Sequence, residues 1–110
     1  MILVTLLTGK DGALIECKAD GHACYSQKGT DVVCAAVTTL LKTSMQVLSQ
    51  IEEVTLTADT SERGNLAFRV SVNKESDSVK TRLQCTADFI RTGIKSLSAS
   101  YPENVQLREN

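Results

Sequence analysis

His22 and Cys34 are residues of this chain whose types can together break an amide bond, and they stand twelve positions apart. A thiol near its ordinary pKa of about 8.5 is mostly protonated at neutral pH, and the thiolate is the form that attacks carbonyl carbon. His22, the sole histidine, sits where a strand candidate gives way to a polar loop. An imidazole brought back to the sulfur takes the thiol proton, holds a thiolate–imidazolium pair and returns the proton to a leaving amine. If Thr30 or Asp31 caps a helix, Cys34 falls in its first turn, near unpaired N–H groups and the positive end of the dipole. Those amides would also suit the oxyanion of a tetrahedral intermediate, with the Cys34 N–H the first candidate. Thr38, one turn beyond, projects from the same face.

Each residue has a plainer reading. A cysteine in an apolar helix turn is commonly a small buried hydrophobe, and a lone histidine in a polar loop is commonly solvated. Gly21 and Gly29 read as turn residues needing positive φ. Asp31 either orients the imidazole or caps the helix. Tyr25 is either a hydrophobic anchor or a lid over the site. Spacing does not separate these alternatives.

The other cysteines look structural. Cys17 belongs to a strand, Cys85 flanks an apolar stripe, and Cys24 lies in the loop. The four cysteines show no disulfide framework in their spacing, and there is no C-x-x-C pair. A metal site from Cys17, His22, Cys24 and Cys34 lacks the tight paired spacing of zinc modules, so neither metal nor cofactor is expected.

Positioning this pair falls to elements that the hydrophobic pattern marks out. Met1–Thr8 and Ala13–Ala19 read as a hairpin around Gly9-Lys10-Asp11-Gly12. Asp20 to Thr30 has two glycines and no period, a loop long enough to be functional. A helix then starts at Thr30 or Asp31, with Val33, Val37, Leu40, Leu41, Met45 and Leu48 at helical spacing. Val54–Ala58 and Leu66–Val72 follow as strands, the second alternating as for a sheet covered on one face. Val79, Leu83, Thr86, Ile90, Ile94, Leu97 and Tyr101 mark a second helix, capped within Ser76 to Ser78 and stopped by Pro102. Asn104–Arg108 is left for an edge strand. The order ββαββαβ predicts an α/β (α+β) fold, one sheet of about five strands with two helices packed on one face.

At 110 residues the chain is one domain, residues 1–110. Twelve Lys and Arg against thirteen Asp and Glu give a net charge of −1, which argues against nucleic acid as a direct ligand. The run Met1–Leu7 is too short to span a bilayer and reads badly as a signal peptide. No membrane partner and a cytoplasmic location are expected.

Gly21-His22-Ala23, followed by Gly29-Thr30-Asp31-Val32-Val33-Cys34-Ala35-Ala36-Val37-Thr38, resembles the signature of the ribosomal-processing cysteine proteases (Prp) of bacteria. The resemblance extends over nearly the whole chain. It implies a homodimer that removes the N-terminal extension of a large-subunit ribosomal protein, the twenty-seventh in standard naming, with that peptide as partner and substrate. It implies an apolar groove beside Cys34, because the family cleaves after a hydrophobic, aromatic-containing stretch. His22 and Cys34 fall on its catalytic dyad, Asp31 on an assisting acidic position, and Gly21 and Gly29 on loop glycines. Thr38 replaces a usual serine, keeping the hydroxyl and adding a methyl. Ala23, Cys24 and Tyr25 fall in the segment expected to close over substrate. The contrasting reading is a non-enzymatic, dimeric, ribosome-associated binding module with structural cysteines.

Overall fold

Ile2–Thr8 (β1) and Leu14–Asp20 (β2) form an antiparallel hairpin around Gly12, whose φ of 85° suits a residue without Cβ. The register shifts after Leu7, so Leu7 faces Glu16 while Thr8 faces Leu14. This bulge turns Leu14 to the same buried side as Cys17 and Ala19. A computed structural model describes residues 1–21, 28–60 and 64–110, with 28–31 by backbone alone.

Helix α1 spans Lys28–Ser49, β3 Val54–Asp59, β4 Asn65–Val72, α2 Asp77–Ser100 and β5 Val105–Glu109. The sheet order is β3-β4-β2-β1-β5, with β1 and β5 parallel and the other pairs antiparallel. The expected element order, strand number and edge position of the last strand are all present. Both helical connections, β2–α1–β3 and β4–α2–β5, join parallel strands across an intervening part of the sheet. They cross in opposite directions from strands that point oppositely, so the right-handed rule puts both helices on one face. Contact between α1 and α2 agrees with this. α1 packs over β3, and α2 over β5, β1 and β2.

The core lies between that face and the helices, built from Val4, Leu6, Cys17 and Phe68 below and Val33, Val37, Leu41, Leu48, Leu83, Ala87, Ile90 and Ile94 above. Ala87, not the expected Thr86, occupies the buried stripe of α2. The Thr86 hydroxyl instead donates to the Arg82 carbonyl at 2.8 Å, on the exposed side. Ser44 joins the α1 stripe although polar, because its hydroxyl donates to the Leu40 carbonyl at 2.9 Å and needs no other partner. Val32–Ser49 is apolar enough to match a membrane span by length and composition; its Val33, Val37, Leu41 and Leu48 pack into the core while Val32 and Val47 are exposed.

α2 begins at Ser76, whose side chain accepts from the Val79 N–H at 3.1 Å, and ends at Tyr101, one residue before Pro102. Gly93 lies where α2 meets α1. A Cβ there would come within 2.7 Å and 2.9 Å of the Leu40 methyls.

Candidate active site

The chain leaves β2 at Gly21, and two neighbours hold it there. The Gly21 N–H donates to the Gly64 carbonyl at 3.0 Å. Its φ is 154°, and a Cβ on it would fall onto the Met1 carbonyl oxygen and within 2.8 Å of the Ile2 Cα. Both contacts are backbone, so a side chain at this position would displace the start of β1. In the sequence, Gly64 is one residue of the polar stretch Asp59–Asn65 between two strand candidates. Its part in seating Gly21 depends on the β2–β4 pairing, for which the sequence carries no mark.

His22, Ala23, Cys24 and Tyr25 lie outside the described residues, as do the expected lid and the His22 half of the proposed dyad. Gly29 and Thr30 lie in the first turn of α1, which starts at Lys28 and not at Thr30 or Asp31. Neither Thr30 nor Asp31 is therefore the cap, and Gly29 is helical where a turn glycine of positive φ was expected. A single glycine costs a helix about 1 kcal/mol, which the added ladder bonds of an extra turn offset. Residues 28–30 of the expected loop therefore belong to the helix.

Cys34 becomes the seventh residue of α1. It lies beyond the four leading amides, in the second turn, where dipole stabilisation has largely faded. Its own N–H lies past the leading amides that lack an intrahelical acceptor, one turn further in than the first-turn position expected. The side chain is half-buried and packs against the core cluster. Thr38, also half-buried, follows one turn later, as expected. Cys34, Thr38 and Met45 fall within about 40° of arc on the helix.

Two apolar grooves lie along the α1–α2 seam, one lined by Ala35, Ala36, Thr39, Leu40, Thr43 and Phe89, the other by Thr43, Ser44, Val47, Cys85, Thr86 and Phe89. At about 100° per residue these positions sit on the flank of α1 opposite Cys34. They are not the groove expected beside the thiol.

The remaining described cysteines are chemically distinct from Cys34. Cys17 is fully buried under the helices, and desolvation, with a smaller contribution from the Glu16 charge, pushes its thiol up to about 12. It is inert at neutral pH. Cys85 is exposed on α2. Among the described residues, no group of three or more His, Cys, Asp or Glu is arranged to hold a metal ion.

The sequence matches the family model of the cysteine protease Prp over residues 1–106. The chain belongs to the Prp family of cysteine proteases. The fold agrees with solved structures. The essential ribosomal processing protease Prp of Staphylococcus aureus, crystallised with a substrate peptide, superimposes with a TM-score of 0.79 at 20% identity, covering 100% of both chains. Its complex with a covalently linked product peptide gives 0.76 at 22%, again over 100% of both chains. SMU.848 of Streptococcus mutans gives 0.78 at 25%, covering 99% of this chain and 93% of that one. No curated protein matches the sequence.

Proposed function

We propose that this Prp-family protease removes the N-terminal extension of a large-subunit ribosomal protein, the twenty-seventh in standard naming, through Cys34 and His22. The carrying observation is Cys34 itself, half-buried in the second turn of α1 in a chain that matches the cysteine protease Prp over 1–106. The other described cysteines do not suit the role. Cys17 is sealed in the core, and Cys85 lies exposed on α2 next to Gln84, which donates to the Asp11 carbonyl at the turn of the hairpin.

The Cys34 sulfur, as thiolate, attacks the scissile carbonyl carbon. His22, having taken the thiol proton, donates it to the departing amine as the C–N bond breaks. Water then attacks the thioester carbonyl, giving one proton to His22, and the C–S bond breaks, releasing the acid product and restoring the Cys34 thiolate beside the imidazolium. With the leading amides of α1 a turn ahead of the sulfur, the imidazolium carries more of the thiolate's stabilisation than a first-turn cysteine would require of it. Thr38 lines the same flank, and Asp31 assists the imidazole. Gly21, the residue before His22, is itself held by the Gly64 carbonyl and by its close approach to the start of β1. The working form is a cytoplasmic homodimer, a state that sedimentation measures directly.

The test is incubation with a synthetic peptide spanning the extension junction, followed by mass analysis of the fragments. The native protein makes one cut. Cys34→Ala abolishes it with the thermal melt unchanged, and His22→Ala slows it by a factor of about 10² or more. Full turnover by Cys34→Ala overturns the assignment.

A further inference from the structure

The sheet has two edges, and they are built differently. β5 carries exposed Arg108 and Glu109, and Arg91 reaches from α2 to hold Glu109 at 2.7 Å. Charges of this kind discourage a further strand. β3 reads Val-Thr-Leu-Thr-Ala-Asp, without lysine, arginine or proline, and pairs with β4 from Val54 to Asp59 without a register shift. Among the described residues, it has none of the usual devices that close an edge except a terminal aspartate.

Two hydrogen bonds fix which backbone groups of β3 face outward. The Asn73 N–H donates to the Glu53 carbonyl at 2.7 Å, continuing the Val54–Val72 register by one pair. Gly21 N–H donates to the Gly64 carbonyl, continuing the β2–β4 register in the same way. Both place the odd-numbered residues of β4 toward β3 and the even-numbered ones toward β2. Thr55, Thr57 and Asp59 therefore bond to β4, while the N–H and C=O of Leu56 and Ala58 point away from the sheet. The Val54 N–H, of the same parity, turns to the Ile51 carbonyl at 3.3 Å instead.

The same two residues carry their side chains on the helix-covered face. Leu56 is half-buried there, but Ala58 is exposed, so α1 leaves this end of β3 uncovered. Cys34, Thr38 and Met45 lie on the flank of α1 turned from α2, the side on which β3 lies. From Ser49 back to Cys34 the helix rises about 22 Å, and from Val54 to Asp59 the strand rises about 17 Å. The thiol thus sits at, or just past, the open end of β3.

We propose that the substrate's extended segment adds to β3 as a sixth strand, bonding to the Leu56 and Ala58 backbone and delivering its scissile bond to Cys34. The inference rests on the peptidase reading and specifies how the peptide is held. Main-chain pairing supplies affinity, and alternate substrate side chains face Leu56, Ala58 and the Cys34 flank of α1, where they are read. The intervening side chains face solvent.

The experiment is an N-methyl scan of the extension-junction peptide, each backbone amide methylated in turn, read as binding to the Cys34→Ala protein. Affinity falls about tenfold or more at every second position and stays within about twofold between them. Ala58→Pro removes an outward N–H that β4 does not use; it raises KM for the unmodified peptide about tenfold without changing the thermal melt. A scan with no period of two, or a folded Ala58→Pro protein with unchanged KM, overturns the inference. So does an Ala58→Pro protein that loses self-association but keeps its peptide affinity, because the edge would then hold a second copy. A Cys34→Ala protein that still cuts overturns the nucleophile assignment while the binding scan remains readable. If the native protein neither binds nor cuts the peptide, both readings fall together.

Discussion

Two thiols of the core layer lie in opposite surroundings. Cys17 is wrapped by apolar side chains from both layers, whereas Cys34 has one side toward solvent. The buried thiol has a consequence for stability. Its pKa rises from 9.0 unfolded to about 12 folded, so between these values the unfolded chain sheds a proton that the native state retains. The native state is favoured in full below pH 9, and this contribution is lost as pH rises toward 12. Denaturant titrations across that range will show stability falling, and Cys17→Ala will flatten the slope while lowering stability at neutral pH through the lost packing. Equal slopes in the two proteins would show that Cys17 ionises alike in both states.

At the scale of elements, α2 follows its local signals closely. Ser76 caps it through the Val79 N–H, Asp77 stands in the first turn, and the helix stops one residue before Pro102. Ser76→Ala will cost about 1 kcal/mol, measured by denaturant unfolding, and Ser76→Asp will restore most of it. α1 was less legible. Its apolar stripe was plain from Val33 onward, but Lys28-Gly29-Thr30 carries no helical pattern, and Thr30 and Asp31 look like caps. Helix cooperativity extended the element past those signals and moved Cys34 one turn inward. In α2 the 3-and-4 stepping allowed either Thr86 or Ala87 at one position. The small residue fits the core, and the hydroxyl bonds outside it.

For the whole molecule, element order and the one-sided sheet were readable, because alternation and helical spacing are local properties. Strand order was not. The insertion of β4 between β2 and β3 depends on pairings between residues such as Cys17 and Phe68 that no neighbouring letters announce. For the same reason the motif around Cys34 and His22 pointed to a chemistry, while the open edge of β3 became visible only once the ladder's parity was known.

The close approach of α1 and α2 makes the helices one mechanical unit. Gly93→Ala adds up to about 1 kcal/mol of helix propensity, but pressing a methyl onto Leu40 costs about 1–3 kcal/mol. Net destabilisation is expected, with Gly93→Ala in a Leu40→Ala background recovering part of it in a double-mutant cycle. Additive losses would show that the two positions do not press on each other. Leu40 and Cys34, the proposed nucleophile, ride on the same rod, six residues apart. A methyl group on the neighbouring helix therefore presses on the rod that carries Cys34.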